Sequence, residues 1–252
     1  MRPTIEVLLS PAEYQARAAC GFAGQVGVVF DVLRATSVMV TGLANGAAGF
    51  IPVAEIPEAL AWRRKLPDAL LAGERDGLKI TAAQSGGVDF DLGNSPREYT
   101  PARVSGRTII TTTTNGTRAL RACVAAEAVA VGAFLNLAAT AQWLSAHPTK
   151  RLVLVCAGTG EAAALEDVLC AGALCDLLLA KGYALDDSAE VARRVYAAAE
   201  QDLAAAIKGS RNGRRLLANP ELRDDVEICL RRDVFAFVAL LANDGVVRQQ
   251  KS

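Results

Sequence analysis

Histidine is almost absent from this chain, with a single residue, His147, among 252. It stands before Pro148 at what reads as the end of a helix, an exposed place that suits a carboxyl terminus better than chemistry. That leaves little room for a Ser-His-Asp triad, a phosphohistidine mechanism or a multi-histidine metal site. Net charge is lacking too: 27 basic residues balance 27 acidic ones, which argues against non-specific binding to nucleic acid. No apolar run approaches a bilayer span, the stretch 234–241 being far too short. The first residues carry no secretory signal. A soluble, cytoplasmic protein without a membrane or nucleic-acid partner is expected, and a homo-oligomer is compatible with the composition. The six cysteines (Cys20, Cys123, Cys156, Cys170, Cys175 and Cys229) show no C-x-x-C spacing. They read as small buried hydrophobes in a reducing compartment, not as a zinc site. There is no P-loop, and Cys156 lacks the arginine of a cysteine-phosphatase loop. Any chemistry here falls to carboxylates and a hard metal ion.

What is present is a large apolar fraction, 52% against 21% charged residues, enough for a sizeable core. Apolar runs at 4–9, 27–31, 50–54, 69–72, 128–131 and 151–156 read as strands. Helical stretches at 35–44, 57–65 and 137–146 alternate with them, as does one from the Gly158-Thr159-Gly160 turn to about residue 180. Such alternation predicts a three-layer α/β/α fold with a mostly parallel sheet, one domain over 1–252 that subdivides, if at all, near 107 and 183. From residue 186 onward the chain reads as helical. Val191, Val195, Ala199, Leu203 and Ile207 form one stripe, followed by a polar Gly-rich break at 209–215. A second long helix opens with Asn219 as cap and Pro220 in its first turn, and turns Leu222, Val226, Leu230, Val234 and Val238 inward. The long segment 76–106, rich in Gly, Ser, Asp and Pro, reads as a functional loop.

Ligands of parallel sheets bind beyond the carboxyl ends of the strands. The stretch 107–118 is organised for that. Ile109 and Ile110 form a strand, a helix starts near Thr117, and Asn115-Gly116 between them permits a sharp turn with positive φ at Gly116. Backbone N–H groups and the hydroxyls of Thr112, Thr113 and Thr114 then converge where an anion would sit. An ordinary strand–helix turn capped by threonines is the alternative. Asp31 also ends a buried strand, where a carboxylate can hold Mg²⁺, and Arg34 beside it can grip an oxyanion with two parallel bonds. Leu33 stands where a haloacid-dehalogenase phosphatase has its second Asp, so Asp31 is read as a metal ligand or electrostatic residue and not as a nucleophile. Gly73-Glu74-Arg75 ends another strand with an acid and a base together, or with an internal ion pair. Asn94 and Ser95 precede Pro96 as a cap. Glu166 and Asp167 lie early in a helix, either complementing its dipole or supplying metal ligands. Gly158-x-Gly160-x-x-Ala163 invites comparison with a dinucleotide fingerprint, but no acid-tipped strand follows at the spacing that would read a ribose.

Five motifs in order carry a resemblance: Phe30-Asp31-Val32-Leu33-Arg34-Ala35-Thr36, Gly73-Glu74-Arg75, Asp91-Leu92-Gly93-Asn94-Ser95-Pro96, Thr112-Thr113-Thr114-Asn115-Gly116-Thr117 and Leu165-Glu166-Asp167. With the terminal Asp225-x-x-x-Cys229-x-x-x-Asp233 segment they resemble the 2-phosphosulfolactate phosphatase family from about residue 4 to 247. The resemblance implies Mg²⁺-dependent hydrolysis of 2-phosphosulfolactate, or a related phosphorylated 2-hydroxy acid, to sulfolactate and phosphate, a step towards coenzyme M. It implies catalytic roles for Asp31, Arg34, Glu74, Arg75 and Asp167, with metal held by Asp31, Glu166 and Asp167. Substrate contacts would come from Ser37, Asn94, Ser95, Thr112, Thr113, Thr114, Asn115, Gly116 and Arg118. Arg34, Arg75, Arg97 and Arg118 would divide the anionic groups of such a substrate among them. Two other readings use the same loops: a non-catalytic anion or nucleotide binder, and a nicotinamide-dependent oxidoreductase built on the Gly158 turn.

Overall fold

A computed structural model describes residues 2–147 and 149–251. In chain order it contains β1 (Thr4–Leu8), α1 (Pro11–Cys20), β2 (Val26–Phe30), α2 (Ala35–Ala44), β3 (Gly49–Pro52), α3 (Ile56–Lys65), β4 (Leu70–Arg75) and β5 (Leu78–Lys79). There follow α4 (Ala82–Ser85), α5 (Pro101–Val104), β6 (Thr108–Thr112), α6 (Gly116–Ala122), β7 (Ala128–Gly132), α7 (Leu137–Ala146), β8 (Arg151–Cys156) and α8 (Leu165–Leu179). The chain closes with β9 (Ala184–Leu185), α9 (Asp187–Ala199), α10 (Leu203–Lys208), α11 (Arg211–Leu217), α12 (Arg223–Cys229), β10 (Phe237–Leu241) and β11 (Val247–Lys251). Every residue of β2 is buried, which is why its sequence is continuously apolar and does not alternate.

One sheet runs β5-β4-β6-β3-β11-β10-β7-β2-β8-β1-β9. Two parallel blocks, β3/β6/β4 and β7/β2/β8/β1/β9, are joined by the β10–β11 hairpin, which pairs antiparallel with β7 on one side and with β3 on the other. The blocks therefore run in opposite senses along the sheet, and in a flat sheet their carboxyl ends would lie a strand length apart. They meet instead: Gly116, after β6, abuts Asp31, after β2. Twist accounts for this. At about 20–25° per step, the five steps from β2 to β6 turn the second block through roughly a right angle or more, and two-stranded ribbons twist further. The β11–β3 join registers at Val247↔Phe50 alone. Helix α6 touches both β2 and β3 inside the bend.

Helices cover both faces, giving three layers. One apolar cluster joins β1, β2, β7 and β8 to α7, α8, α9 and the helices after them. A second lies on the opposite face under α1, α2 and α6, and a third packs α3 on β3, β4 and β6. Helices α8 and α9 meet at backbone distance: a Cβ on Gly172 would lie 2.2 Å from the Ala192 carbonyl oxygen and 2.8 Å from Tyr196 Cβ. Gly172→Ala should therefore part the two helices. A loss of about 1–3 kcal/mol is expected, visible as a fall in Tm of about 2–4 °C per kcal/mol; an unchanged melt would contradict this packing.

Four expectations are corrected. The carboxyl-terminal region is not helical throughout: the long helix expected to span 219–238 is the seven-residue α12 followed by the β10–β11 hairpin. Asp233 takes a positive φ of 54°, its carboxylate accepts the Ala138 N–H at 2.6 Å, and beyond it Val238 is buried in β10 while Val234 is 49% exposed. The expected break at 209–215 is largely α11, capped by Ser210 Oγ accepting the Gly213 N–H at 3.0 Å. Of the stripe expected over 191–207, Val195, Ala199, Leu203 and Ile207 pack on the core, but Val191 is 50% exposed. The fully inward residues of α9 are Ala189, Ala192 and Tyr196, the alanines letting α8 approach. Cys20 is exposed, whereas the other five cysteines are buried as expected. Among the described residues no helix is long and apolar enough to cross a membrane.

Candidate active site

The carboxyl ends of β2, β4, β6 and β8 open into one cavity of about 210 Å³, and α11 closes its far side. Asp31 enters from the β2–α2 turn. Its Oδ1 accepts the Ala35 N–H at 3.1 Å, and its own N–H goes to Thr36 Oγ1, also at 3.1 Å. Burial pushes the Asp31 carboxyl up to about 7; the Ala35 N–H opposes this, Glu74 and Glu166 add to it, and Arg34 offsets part. Asp167 ties two strand ends together: Oδ1 accepts the Val32 N–H at 2.8 Å and Oδ2 the Gly158 N–H at 3.1 Å. Burial, then the charges of Asp31 and Glu166, hold its carboxyl well above the usual range.

Arg34 is buried and pinned. Nη1 donates to Asp225 Oδ2 at 2.6 Å and Nη2 to the Gly77 carbonyl at 2.6 Å. Asp225, 0% exposed, also accepts from Ser95 Oγ at 2.6 Å and Arg97 Nε at 2.9 Å. Glu74 clasps two loops, with Oε1 accepting the Thr114 N–H (2.8 Å) and hydroxyl (2.9 Å) and Oε2 the Gly77 N–H (2.7 Å).

Of the residues singled out in the sequence, Asp31, Arg34, Glu74, Asn94, Thr114, Asn115, Glu166 and Asp167 line this cavity, as do Leu33 and the Gly158-Thr159-Gly160 turn. The others do not. Ser37 donates to the Val32 carbonyl and Ser95 to Asp225. Thr112 Oγ1 donates to the Ala54 carbonyl, and Thr113 exchanges bonds with Thr117. Arg75 braces Thr112 and the Glu74 carbonyl, while Arg118 faces Glu161 at the surface. Arg97 clamps Asp225 and Asp224. The Thr113 N–H is thus already bonded to Thr117 Oγ1 and the Thr114 N–H to Glu74, and neither can serve as an anion donor.

Gly116 is also corrected, since it is not among the residues of positive φ. Glycine is required there for proximity: a Cβ would lie 2.7 Å from both Asp31 Oδ2 and Ala35 Cβ. At Gly158 the N–H that a diphosphate would use is occupied by Asp167, and α8 starts only at Leu165. That geometry disfavours the dinucleotide reading. His147 is exposed and stacks on Trp143 at 4.7 Å, as its place at a helix end suggested.

Sequence reasoning missed Asp76, Gly77, Asn212 and Arg215, all of which line the cavity. The signal for the last two was available, because Ser210 starts a helix that places Asn212 and Arg215, three apart, on one face.

Among the described residues no three Asp, Glu, His or Cys side chains form a ready ligand set for a metal. Three oxygens around the cavity nevertheless lack any donor although buried: Glu166 Oε2, Asn212 Oδ1 and Asn115 Oδ1. Such orphaned acceptors are costly unless something positive meets them. The lining carries Asp31, Glu74, Asp76, Glu166 and Asp167 against Arg34 and Arg215, so its formal balance is acidic. A hard cation that takes one or two carboxylates and fills its shell with other oxygens fits this donor set.

Fold and site together define an α/β protein with a small, mostly acidic cavity at the carboxyl ends of its parallel strands, into which two arginines reach. A family model described as 2-phosphosulpholactate phosphatase matches residues 11–244. A protein of Caldanaerobacter subterraneus subsp. tengcongensis, named a probable 2-phosphosulfolactate phosphatase, is 42% identical over 226 residues, 88% of this chain and 89% of its own. One of Thermotoga petrophila with the same name is 41% identical over 219 residues, 87% and 90% of the two chains. One of Pseudothermotoga lettingae, again so named, is 36% identical over 246 residues, 97% and 99%. The chain belongs to the 2-phosphosulfolactate phosphatase family.

Proposed function

We propose that this chain is a phosphoric monoester hydrolase taking 2-phosphosulfolactate, or a closely related phosphorylated 2-hydroxy acid, to sulfolactate and phosphate with Mg²⁺ in the cavity. One observation carries the metal requirement: five carboxylates face two guanidinium groups in the lining, beside three orphaned buried oxygens. A phosphorylated acid entering so acidic a cavity is repelled unless a cation enters with it.

Each side chain then has a defined task. Asp31 Oδ2 and Glu166 Oε2, with Asn212 and Asn115 nearby, would hold the cation. Asp167 fixes the ends of β2 and β8 so that Asp31 and the Gly158 turn keep their spacing. Arg34, held by Asp225 and Gly77, keeps N–H donors free for the phosphoryl oxygens in a fixed plane. Glu74 locks the Thr114 loop against the Gly77 turn. When bound, the cation supplies charge neutralisation at the phosphoryl oxygens. Positioning and charge supply most of the acceleration in phosphoryl transfer, so no strong protein nucleophile is needed. The buried Cys156 thiol, pushed well up by desolvation and then by Asp167, is unsuited to that role.

The test is phosphate release from 2-phosphosulfolactate and simpler phosphorylated acids by metal-stripped protein, with Mg²⁺ or Mn²⁺ restored or with chelator. Turnover should appear with the metal and fall at least about a hundredfold without it. Full turnover in excess chelator would overturn the metal, and release from none of the acids would overturn the hydrolase.

A further inference from the structure

A substrate with more than one acid group needs more than one cationic partner, and the structure narrows the choice. Arg75, Arg97 and Arg118 are engaged outside the cavity. Arg34 and Arg215 are the basic side chains that line it among the described residues. The two differ in kind. Arg34 is buried and tied at both terminal nitrogens. Arg215 is exposed, and none of the described residues takes its guanidinium in a hydrogen bond or ion pair.

The helix that carries Arg215 is nonetheless fixed. Asn212, three residues earlier on α11, donates to Thr159 Oγ1 at 2.7 Å and to Glu166 Oε1. Gly213 lies so close to α10 that a Cβ would stand 2.0 Å from the Ile207 carbonyl oxygen. Arg215 therefore projects from a fixed helix beside the residues assigned to the cation. Its distance from Arg34 is also bounded: a Cβ built on Gly77 would lie 3.9 Å from Arg34 Nη2 and 3.9 Å from Arg215 Cζ. Two guanidinium groups flanking one point suit a three-carbon acid with phosphate on its second carbon and another oxyanion on a neighbouring carbon.

We infer that Arg215 is a specificity-determining residue, gripping the non-reacting acid group of the substrate while Arg34 takes the phosphoryl group. The inference rests on the hydrolase reading for its substrate and adds the division of labour between the two arginines. A free guanidinium at the rim meets a sulfonate or carboxylate through its planar fork and offsets the repulsion that the acidic lining exerts on such a group, an attraction that a ligand without a second acid does not gain.

Arg215→Met, compared with the parent protein in Mg²⁺, tests this on three phosphates: 2-phosphosulfolactate, 2-phospholactate and isopropyl phosphate, which has no second acid. KM for 2-phosphosulfolactate should rise about 10- to 100-fold, the range of a charge-assisted hydrogen bond, with kcat little changed. kcat/KM for isopropyl phosphate should stay within about threefold, so that selectivity collapses. An equal loss on 2-phospholactate assigns the grip to the carboxylate, and a loss confined to 2-phosphosulfolactate assigns it to the sulfonate. An equal fall on all three phosphates, or no change on any, overturns the inference. Calorimetric binding of sulfolactate separates it from the hydrolase reading. Parent protein that binds sulfolactate at least tenfold more tightly than Arg215→Met but releases no phosphate would uphold Arg215 and overturn the hydrolase. Parent protein that neither turns over nor binds sulfolactate overturns both.

Discussion

Asp31→Asn is expected to lower kcat at least about a hundredfold while the metal-free protein melts no lower than the parent. The asparagine carbonyl can take over the Ala35 N–H that Asp31 Oδ1 now accepts at 3.1 Å, so the start of α2 keeps its partner. What disappears is one negative charge from a cavity lined by five carboxylates and two guanidinium groups. Relief of that repulsion favours the metal-free fold, and its melt should rise slightly. Added Mg²⁺ should raise the Tm of the parent by mass action and leave the variant's unchanged. Asp167→Asn is the contrasting member of the pair. Both of its oxygens accept backbone N–H groups, and an amide would turn a donor toward one of them. That costs about 1–3 kcal/mol, so its activity and melt should fall together. Near-parental kcat in Asp31→Asn would return Asp31 to the role of a helix cap.

The fold was legible where one rule acted alone. Strand β8 and helices α2 and α7 fall where their patterns placed them, because a continuously apolar strand or a bounded helical stretch has few alternatives. The carboxyl terminus was misread for a specific reason: apolar residues four apart from Leu222 to Val238 mimic a helix across its real end. Asn243-Asp244-Gly245, with Gly245 at φ 79°, was the competing hairpin signal. The misreading hid the twist that makes the site, since β10 and β11 separate the parallel blocks and let their carboxyl ends converge. Asp31, Glu74, Glu166 and Asp167 were legible as acids at strand or helix ends. Thr112, Thr113, Arg75 and Arg118 were not separable from them, because sequence places a residue at an edge without showing which way its side chain is bonded. Asn212 and Arg215 stayed hidden because glycines on either side of Asn212 made a helix look like a break.

Gly116→Ala should cost activity far out of proportion to stability. Gly116 opens α6 without positive φ, so alanine meets no backbone strain there and gains about 0.5–1 kcal/mol in helix propensity and lost unfolded-chain freedom. Against this, its methyl would arrive 2.7 Å from Asp31 Oδ2, 2.7 Å from Ala35 Cβ and 3.2 Å from Asp31 Cβ. Overpacking of that kind costs about 1–3 kcal/mol, so the net loss should be small against a domain stability of about 5–15 kcal/mol. The geometric cost falls elsewhere. Relieving the contact means moving the Asp31 carboxylate or the β6–α6 turn by a sizeable fraction of an ångström. Asp31 Oδ2 is the oxygen assigned to the cation, and misplacement on that scale costs roughly a hundredfold in rate. Gly27→Ala is the control. It lies on the strand that carries Asp31, and its Cβ would meet nothing nearer than 3.8 Å, so its kcat/KM should stay near the parent's. The measurement is kcat/KM beside a thermal melt for both variants and the parent. Should Gly116→Ala lose activity only in step with its melt, or no more than Gly27→Ala, the close approach of α6 to Asp31 is mere packing and the catalytic oxygen lies elsewhere.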